Sequence, residues 1–469
     1  MTTAFSKTAW AFAVAFCAIS SVSAQSDKTT PASSAVYPST YQPMPSESVL
    51  IINATLLTGT GRRLENASLL LLDGKVADIS EGTIRNRNAD AITLDAKGKW
   101  VTPGLIDIHS HLGVYASPGL LAHSDGNEMT SPSTANVWAE HSIWPQDPGF
   151  TRALAGGVTS LHILPGSANL VGGRGVTVKN VPSVSYQGMK FPGAPHGLKM
   201  ACGENPKRVY GGKGTAPATR MGNMAGYRTQ WIEAQKYIDD WAKYEAAVAD
   251  NEEDPTKPAR DLRLETLAAA LKGEILVQMH CYRADEMLAV LDMADEFGYQ
   301  IAAFHHGVEA YKIADELAEA QTCGALWADW WGFKAEAYDG IQENIAIVDR
   351  PTGGCAIVHS DSSEGIQRLN QEAAKAMARG IAAGLVITPE HAISWITSNP
   401  AKAMGILDKT GTLEPGKMAD VVIWNGNPFS VYAKAEQVFI DGALVYDRHD
   451  PARQPVTDFE LGQLQGVQP

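Results

Sequence analysis

The chain has 469 residues, of which 45% are hydrophobic and 19% charged, a composition that excludes a disordered or fibrous protein. That length exceeds what one hydrophobic core usually organises, so a large domain with a smaller companion is expected. The formal charge of -14, with no lysine- or arginine-rich block, excludes a phosphate-tracking surface, and nucleic acid is not expected as a partner.

Residues 1–24 carry Lys7 as their only charge, run through a mostly apolar stretch over 9–22 and end in the small residues Val22-Ser23-Ala24. This layout predicts a signal peptide cut after Ala24, secretion, and a bacterial periplasm as destination. The apolar run is shorter than the roughly 20 residues of a spanning helix, so no membrane span is expected in the mature chain. Cys202, Cys281, Cys323 and Cys355 remain after cleavage, with no close CxxC pair. They read as buried thiols, although an exported protein is free to form disulfides whose connectivity sequence does not reveal. Residues 25–45, rich in Ser, Thr and Pro, read as a flexible leader.

From 46 to 100 the pattern is β: apolar runs at 49–57 and 67–72 lead into Asp73-Gly74, a favoured hairpin turn. From 101 to 405 strand-like runs alternate with helical stripes, which predicts a parallel βα architecture. The strand candidates are 100–109, 158–164, 197–201, 275–280, 299–305, 325–328 and 355–359. Two helices stand out. Met287, Val290, Leu291, Ala294 and Phe297 form one apolar stripe stopped by Gly298, and Trp231, Ala234, Ile238, Trp241 and Val248 form another. From 406 to 455 the β pattern returns, with 419–424 and 437–440 leading to a second hairpin turn at Asp441-Gly442, and 456–469 form a tail. The expected fold is a (β/α)8 TIM barrel with a small composite β-sandwich domain built from both chain ends.

His109 and His111 end an apolar strand, and residues i and i+2 of a strand share a face, so both side chains can converge on one metal ion. His280, the pair His305-His306, and Asp361 stand at the C-terminal ends of other strand-like runs, where barrel enzymes assemble their sites. Imidazole and carboxylate together are a ligand set for first-row divalent metals. His162, His196 and His359 also lie near strand ends; the first and last abut apolar segments and read as structural. Arg174, Tyr282, Arg283 and Arg220 are candidates to meet a carboxylate or carbonyl on a substrate. Trp327, Trp330 and Trp331 are candidates for an apolar wall or for core.

The segments PGLIDIHSH (103–111), GGVTSLHILPGSAN (156–169), LKMACGENPKR (198–208), MHCYRADE (279–286), HHGVEA (305–310), HSD (359–361) and GTLEPGKMADVVIW (411–424) resemble the amidohydrolase superfamily, in particular its imidazolonepropionase-related branch with its metal-dependent dipeptidases. The resemblance spans nearly the whole mature chain. It implies metal binding by His109, His111, His280, His306 and Asp361. His306 is preferred to His305 because the family's ligand is followed directly by glycine, here Gly307. It also implies a lysine at Lys199, carbamylated by carbon dioxide, bridging two ions, with Glu204 as the rival ligand. Two zinc ions are expected, and manganese, cobalt or iron would suit the same donors. The implied reaction is hydrolysis of a C–N amide bond by a metal-activated water, with Asp361 as proton carrier. A dipeptide or N-acyl amino acid is the expected substrate; cyclic-amide hydrolysis, deamination of a heterocycle and a non-catalytic scaffold are the alternatives. Self-association through exposed sheet edges is left open.

Overall fold

The computed structural model describes residue 1 and residues 36–84 and 90–454. The signal-peptide reading apart from Met1, the leader up to residue 35 and the tail 456–469 lie outside the described residues. Among the described residues no helix is long and apolar enough to cross a membrane.

The chain begins with β1 (Val49–Leu57), β2 (Arg63–Leu72), β3 (Lys75–Glu81), β4 (Ile92–Asp95) and β5 (Trp100–Pro103). It then builds β6 (Leu105–Ser110), β7 (Val158–Ile163), β8 (Val171–Lys179), β9 (Gly197–Ala201), β10 (Leu276–Cys281), β11 (Ile301–His306), β12 (Cys323–Leu326) and β13 (Ala356–Val358). Finally it returns with β14 (Val421–Trp424), β15 (Ala435–Ile440) and β16 (Ala443–Asp447). Strands β6 to β13 pair in sequence order into one eight-stranded sheet. The others form a second sheet in the order β16-β15-β14-β5-β1-β2-β3, with β4 on β1, so both chain ends share it. The hairpin turns Asp73-Gly74 and Asp441-Gly442 have φ of 50°, 74°, 47° and 74°, the left-handed pair that such turns require.

Three expectations are corrected. The run 100–109 is two strands: β5 pairs with β1 and β14, whereas β6 opens the barrel sheet. The change of sheet falls at Gly104, where a Cβ would stand 2.1 Å from Thr159 Oγ1, so only glycine lets the chain pass. Second, the barrel is not fully parallel. Only residues 164–170 separate β7 from β8, too few for a helical crossover, and β8 therefore returns antiparallel to both its neighbours. Third, the leader is tied down from residue 36 to 45: Thr40 N–H donates to Gln187 O, Ser39 Oγ to Lys190 O, and Tyr41 is buried.

Alternation along the barrel strands sorts the side chains. Leu198, Met279, Phe304, Leu326 and Val358 face outward into the main core, with Met287 and Val290 of the helix Ala284–Phe297. That helix ends as predicted, at Gly298 with φ 74°. Ile106 and Ile108 of β6 share a separate core with Ala303 of β11, Ala325 of β12 and Ile357 of β13, and contact between such distant strands places it inside the barrel. Two residues beyond each of Ala303 and Ile357, on the same face, come His305 and His359.

The barrel and the terminal sheet meet at a buried ion cluster. Lys179, at the end of β8 and 0% exposed, places Nζ 2.7 Å from Asp441 Oδ2 and 3.1 Å from Asp420 Oδ1. Thr410 Oγ1 and the Asp441 N–H donate to Asp420, and the Tyr41 hydroxyl donates to Asp441. Burial and the neighbouring Asp420 push the Asp441 carboxyl up, and Lys179 opposes them. Lys179→Met should therefore cost about 3–5 kcal/mol, because it strands two buried carboxylates. Denaturant unfolding of K179M checks this, and the double change with Asp441→Asn should recover part of the loss; an unchanged midpoint for K179M would show that the cluster does not hold the two sheets together.

Candidate metal centre

The barrel's C-terminal mouth gathers six side chains from six loops or strands. His109 lies on β6 and His111 just past it, Lys199 lies on β9, His280 on β10, His306 on β11 and Asp361 just past β13. His109 Nε2 stands 3.3 Å from His111 Nε2, 3.3 Å from Lys199 Nζ and 3.5 Å from Asp361 Oδ1. His111 Nε2 is 3.3 Å and His306 Nδ1 3.9 Å from the same carboxylate. Two sets of donor atoms lie within 4.8 Å of one another: His109, His111 and Asp361, and His109, His306 and His359.

Burial keeps three of these imidazoles neutral. It drives the pKa of His109, His280 and His306 well below the usual histidine value, helped by the neighbouring cationic groups. Neutral imidazole is the form that ligates a metal. The Lys199 amine is pushed down to about 7 by burial, which Asp361 only partly offsets. No carboxylate lies within ion-pair distance of it among the described residues. Burial raises the Asp361 carboxyl, but the His111 hydrogen bond and surrounding positive charge outweigh it and hold the group below its usual value. Several buried nitrogens, His280 Nδ1, His306 Nδ1 and both of His359, have no hydrogen-bond partner. Buried polar atoms are rarely left so, and this donor set suits a first-row divalent ion.

Two histidines have their free nitrogen fixed by their neighbours. His111 Nδ1 lies 2.8 Å from Leu164 O, a carbonyl that can only accept, so Nδ1 carries the proton and Nε2 presents a lone pair. The argument for His109 runs through three residues. Gln278 Nε2 donates to Ala403 O at 3.0 Å, so its Oε1 is what faces His305 Nε2 at 2.8 Å, and that nitrogen must be the donor. His305 Nδ1 is then an acceptor and takes the proton of His109 Nδ1 at 2.8 Å, leaving His109 Nε2 free toward Lys199, His111 and Asp361. Such supporting bonds orient metal-binding histidines and set their tautomers.

Of the pair His305-His306, only His306 belongs to a donor set. His305 does not pack away from the site; it points into the barrel beneath His109. Alternation would send His306 outward, and its φ of 75° swings it back to the mouth. Glu204 is not brought into the cluster: its Oε1 faces Lys334 at 3.8 Å, and Lys199 occupies the central place. His359, read as structural from its apolar approach, is instead 1% exposed among His109 and His306, with ring centroids at 5.2 and 5.0 Å. Its inward register, two residues past Ile357, was the signal available. His162 bonds Thr177 Oγ1 and His196 bonds Glu140, both outside the two donor sets.

The arginines do not reach the centre. Arg174 lies opposite Leu198 in the β8–β9 register and so faces outward, with Nε on Thr266 and its guanidinium over Trp138. It lines a cavity of about 710 Å³ that none of the proposed ligands borders. Arg283 is paired with Asp285, and Arg220 is held between Glu286 and Glu336. Tyr282 does belong to the site: its ring lies 4.7 Å from His280 and 5.6 Å from His306. Trp327 stacks on His306 at 4.3 Å, and Phe333 packs edge-on against both Trp327 and Tyr282. Trp330 borders a cavity of about 290 Å³ with His111, Tyr115, Asp361 and Ser362, which opens the centre to solvent, while Trp331 packs beside the aromatic group at Tyr282. The cysteines are not thiols: Cys202 bridges Cys281 and Cys323 bridges Cys355.

Residues 359–446 match the amidohydrolase family profile Amidohydro_3. The chain is 36% identical over 379 residues, 76% of its length, to the amidohydrolase tasK of Hapsidospora irregularis, and spans 37% of that protein. It is 24% identical over 71% of its length to the imidazolonepropionase of Mesorhizobium japonicum, covering 80% of it. An amidohydrolase of solved structure from Thermotoga maritima is similar at a TM-score of 0.77 and 37% identity, over 85% of this chain and 100% of that one. Molinate hydrolase, at 15% identity and a TM-score of 0.50, shares the fold.

Gln278→Leu removes the acceptor that fixes His305, and should weaken zinc binding by about 10–100-fold through His109. Chelator competition on the purified variant reads this directly. Wild-type affinity in Q278L would show that His109 is oriented without the relay.

Proposed function

Since the chain belongs to the amidohydrolase superfamily, we propose that it is a secreted metal-dependent hydrolase of a C–N amide bond, acting on a dipeptide or N-acyl amino acid. The observation that carries the reading is the convergence of His109, His111, His306 and Asp361 beside the buried Lys199 amine, with the His280 ring 4.7 Å from that of His306. Divalent ions held there would acidify a water and polarise the scissile carbonyl.

The chain's own residues supply the proton traffic and the positioning. Asp361 is ionised and 23% exposed, at the boundary between the buried histidines and the open cavity. From there its carboxylate takes a proton from the attacking water and returns it to the leaving nitrogen, which must be protonated to depart. His111 holds that carboxylate at 3.3 Å. Lys199, its amine pushed down to about 7 by burial, is a competent amine for carbon dioxide: its nitrogen would form the new C–N bond with release of one proton, and the carbamate would be an anionic ligand for the centre. Two zinc ions are the proposed complement, with manganese, cobalt or iron suiting the same donors. The small cavity suits a substrate of two residues or fewer.

A cyclic amide or heterocycle is the second reading. The flat wall of Trp327, stacked on His306, favours it, as does the 24% identity to an imidazolonepropionase. The disulfides agree with an oxidising compartment such as the periplasm. The terminal sheet reads as a β-sandwich domain beside the barrel.

Metal analysis of protein purified without chelator should give two ions per chain, and Lys199→Ala should retain fewer. Chelation should abolish release of amino acids from a dipeptide and N-acyl amino acid library, and zinc or manganese should restore it. Asp361→Asn should lower kcat by about 10²–10⁴-fold. Release of ammonia from heterocycles, with no amino acid from the library, would replace this reading by deamination.

A further inference from the structure

We propose that His359 is a further protein ligand of the metal centre, supplying an imidazole from its buried floor beside His109 and His306. The proposal rests on the reading that the centre holds a divalent ion, and adds to it a residue from the strand that also leads to Asp361.

Three observations carry it. His359 is 1% exposed, and neither ring nitrogen makes a well-formed hydrogen bond. A neutral imidazole has one N–H and one lone pair, so such a ring needs an acceptor and an electrophile. The Ala325 carbonyl lies beside the ring as a loosely placed acceptor, which answers the first need. Nothing among the described residues answers the second. The donor atoms of His359, His306 and His109 all lie within 4.8 Å of one another, close enough to surround one ion. His162 shows that an orphaned nitrogen alone does not suffice: its Nε2 is equally buried and unpartnered, yet it falls in neither donor set.

The two donor sets are not two independent sites. They share His109, whose Nδ1 is committed to His305, so that one nitrogen is left for metal. The sets are therefore two faces of one centre: an open face with His111 and Asp361, and a closed face with His306 and His359. A closed face made wholly of imidazole favours zinc, cobalt or iron over magnesium and calcium, which take oxygen ligands.

The test uses the full chain, stripped by chelator and reloaded with Co²⁺, whose visible spectrum reports its ligands. His359→Phe should weaken Co²⁺ binding by more than about a hundredfold, beyond the range of a merely supporting group, and change the absorption bands. An unchanged spectrum with affinity within threefold of wild type would overturn the proposal, even if the variant lost thermal stability. Should the variant fail to fold, anomalous scattering from crystals of the zinc-loaded wild type decides. A His359 nitrogen at about 2.0–2.1 Å from an ion supports the assignment, and a ring well outside bonding distance of every ion refutes it. Ion binding at His359 without hydrolysis of any amide would leave the assignment standing and remove the proposed activity. A wild type that bound neither Co²⁺ nor Zn²⁺ would remove both.

Discussion

A cluster of neutral imidazoles buried with their lone pairs unanswered is the constraint on which this molecule is organised. Each such nitrogen costs about 1–3 kcal/mol when left unpaired in a protein interior. Five histidines at one barrel mouth keep nitrogens of this kind or point them at each other's. No folding requirement calls for this, because a barrel core is filled more cheaply by branched aliphatic residues, as Ile106, Ile108 and Ile357 do one layer below. A cation at the mouth would convert the cost into binding, and the rest of the structure acts to keep the rings aimed. Gln278 and Ala403 fix His305, His305 fixes His109, and Leu164 fixes His111.

The scaffold around the centre is stiff where the ligands stand. Cys202 and Cys281 join the ends of β9 and β10, next to His280 and three residues beyond Lys199. Cys323 and Cys355 join the starts of β12 and β13, whose far ends carry Trp327 and His359. The seam between the first and last barrel strands is closed by a side chain rather than a ladder: Asp107 accepts from the His109 and Ser360 N–H groups and from the Ser360 hydroxyl. Burial pushes its carboxyl up to about 7 against those bonds. Asp361 N–H then donates to His109 O, so the first and last ligands of the chain are tied together through the backbone.

Much of this was legible in the sequence. Candidate ligands at the ends of apolar strands announce themselves by position, and His109, His111, His280 and Asp361 needed only that rule. Lys199 and His306 needed the family resemblance, since a lysine in an apolar strand reads as a surface group by itself. What stayed hidden depends on long-range geometry. The run through Gly104 keeps one β pattern while it changes sheets, and only the approach of Thr159 reveals the break. Strand β8, Val-Gly-Gly-Arg-Gly-Val, carries too much glycine to read as a strand. Arg174, in Gly-Gly-Arg-Gly, is a candidate substrate contact by its chemistry, yet the antiparallel return of β8 turns it to the outer layer. His359 was hidden by the apolar run before it, the same feature that had exposed His280.

Two backbone angles show how tightly the centre is specified. His306 has φ 75° and Asp361 has φ 51°, a region that residues with a Cβ enter at a cost of about 1–2 kcal/mol. A strand delivers one inward side chain in every two, and it cannot place adjacent residues on one side of a sheet. β11 meets that limit at His305-His306, where the first ring must support His109 and the second must face the mouth. A left-handed turn at the second residue is the local solution, and Gly307 follows it with the freedom to complete the turn. Asp361 is reached in the same way past His359 and Ser360, so that a side chain beneath the centre and one at its rim come from the same short segment. Strain at both positions is tolerated because it puts supporting and exposed groups within a few ångströms, which regular strands alone do not allow.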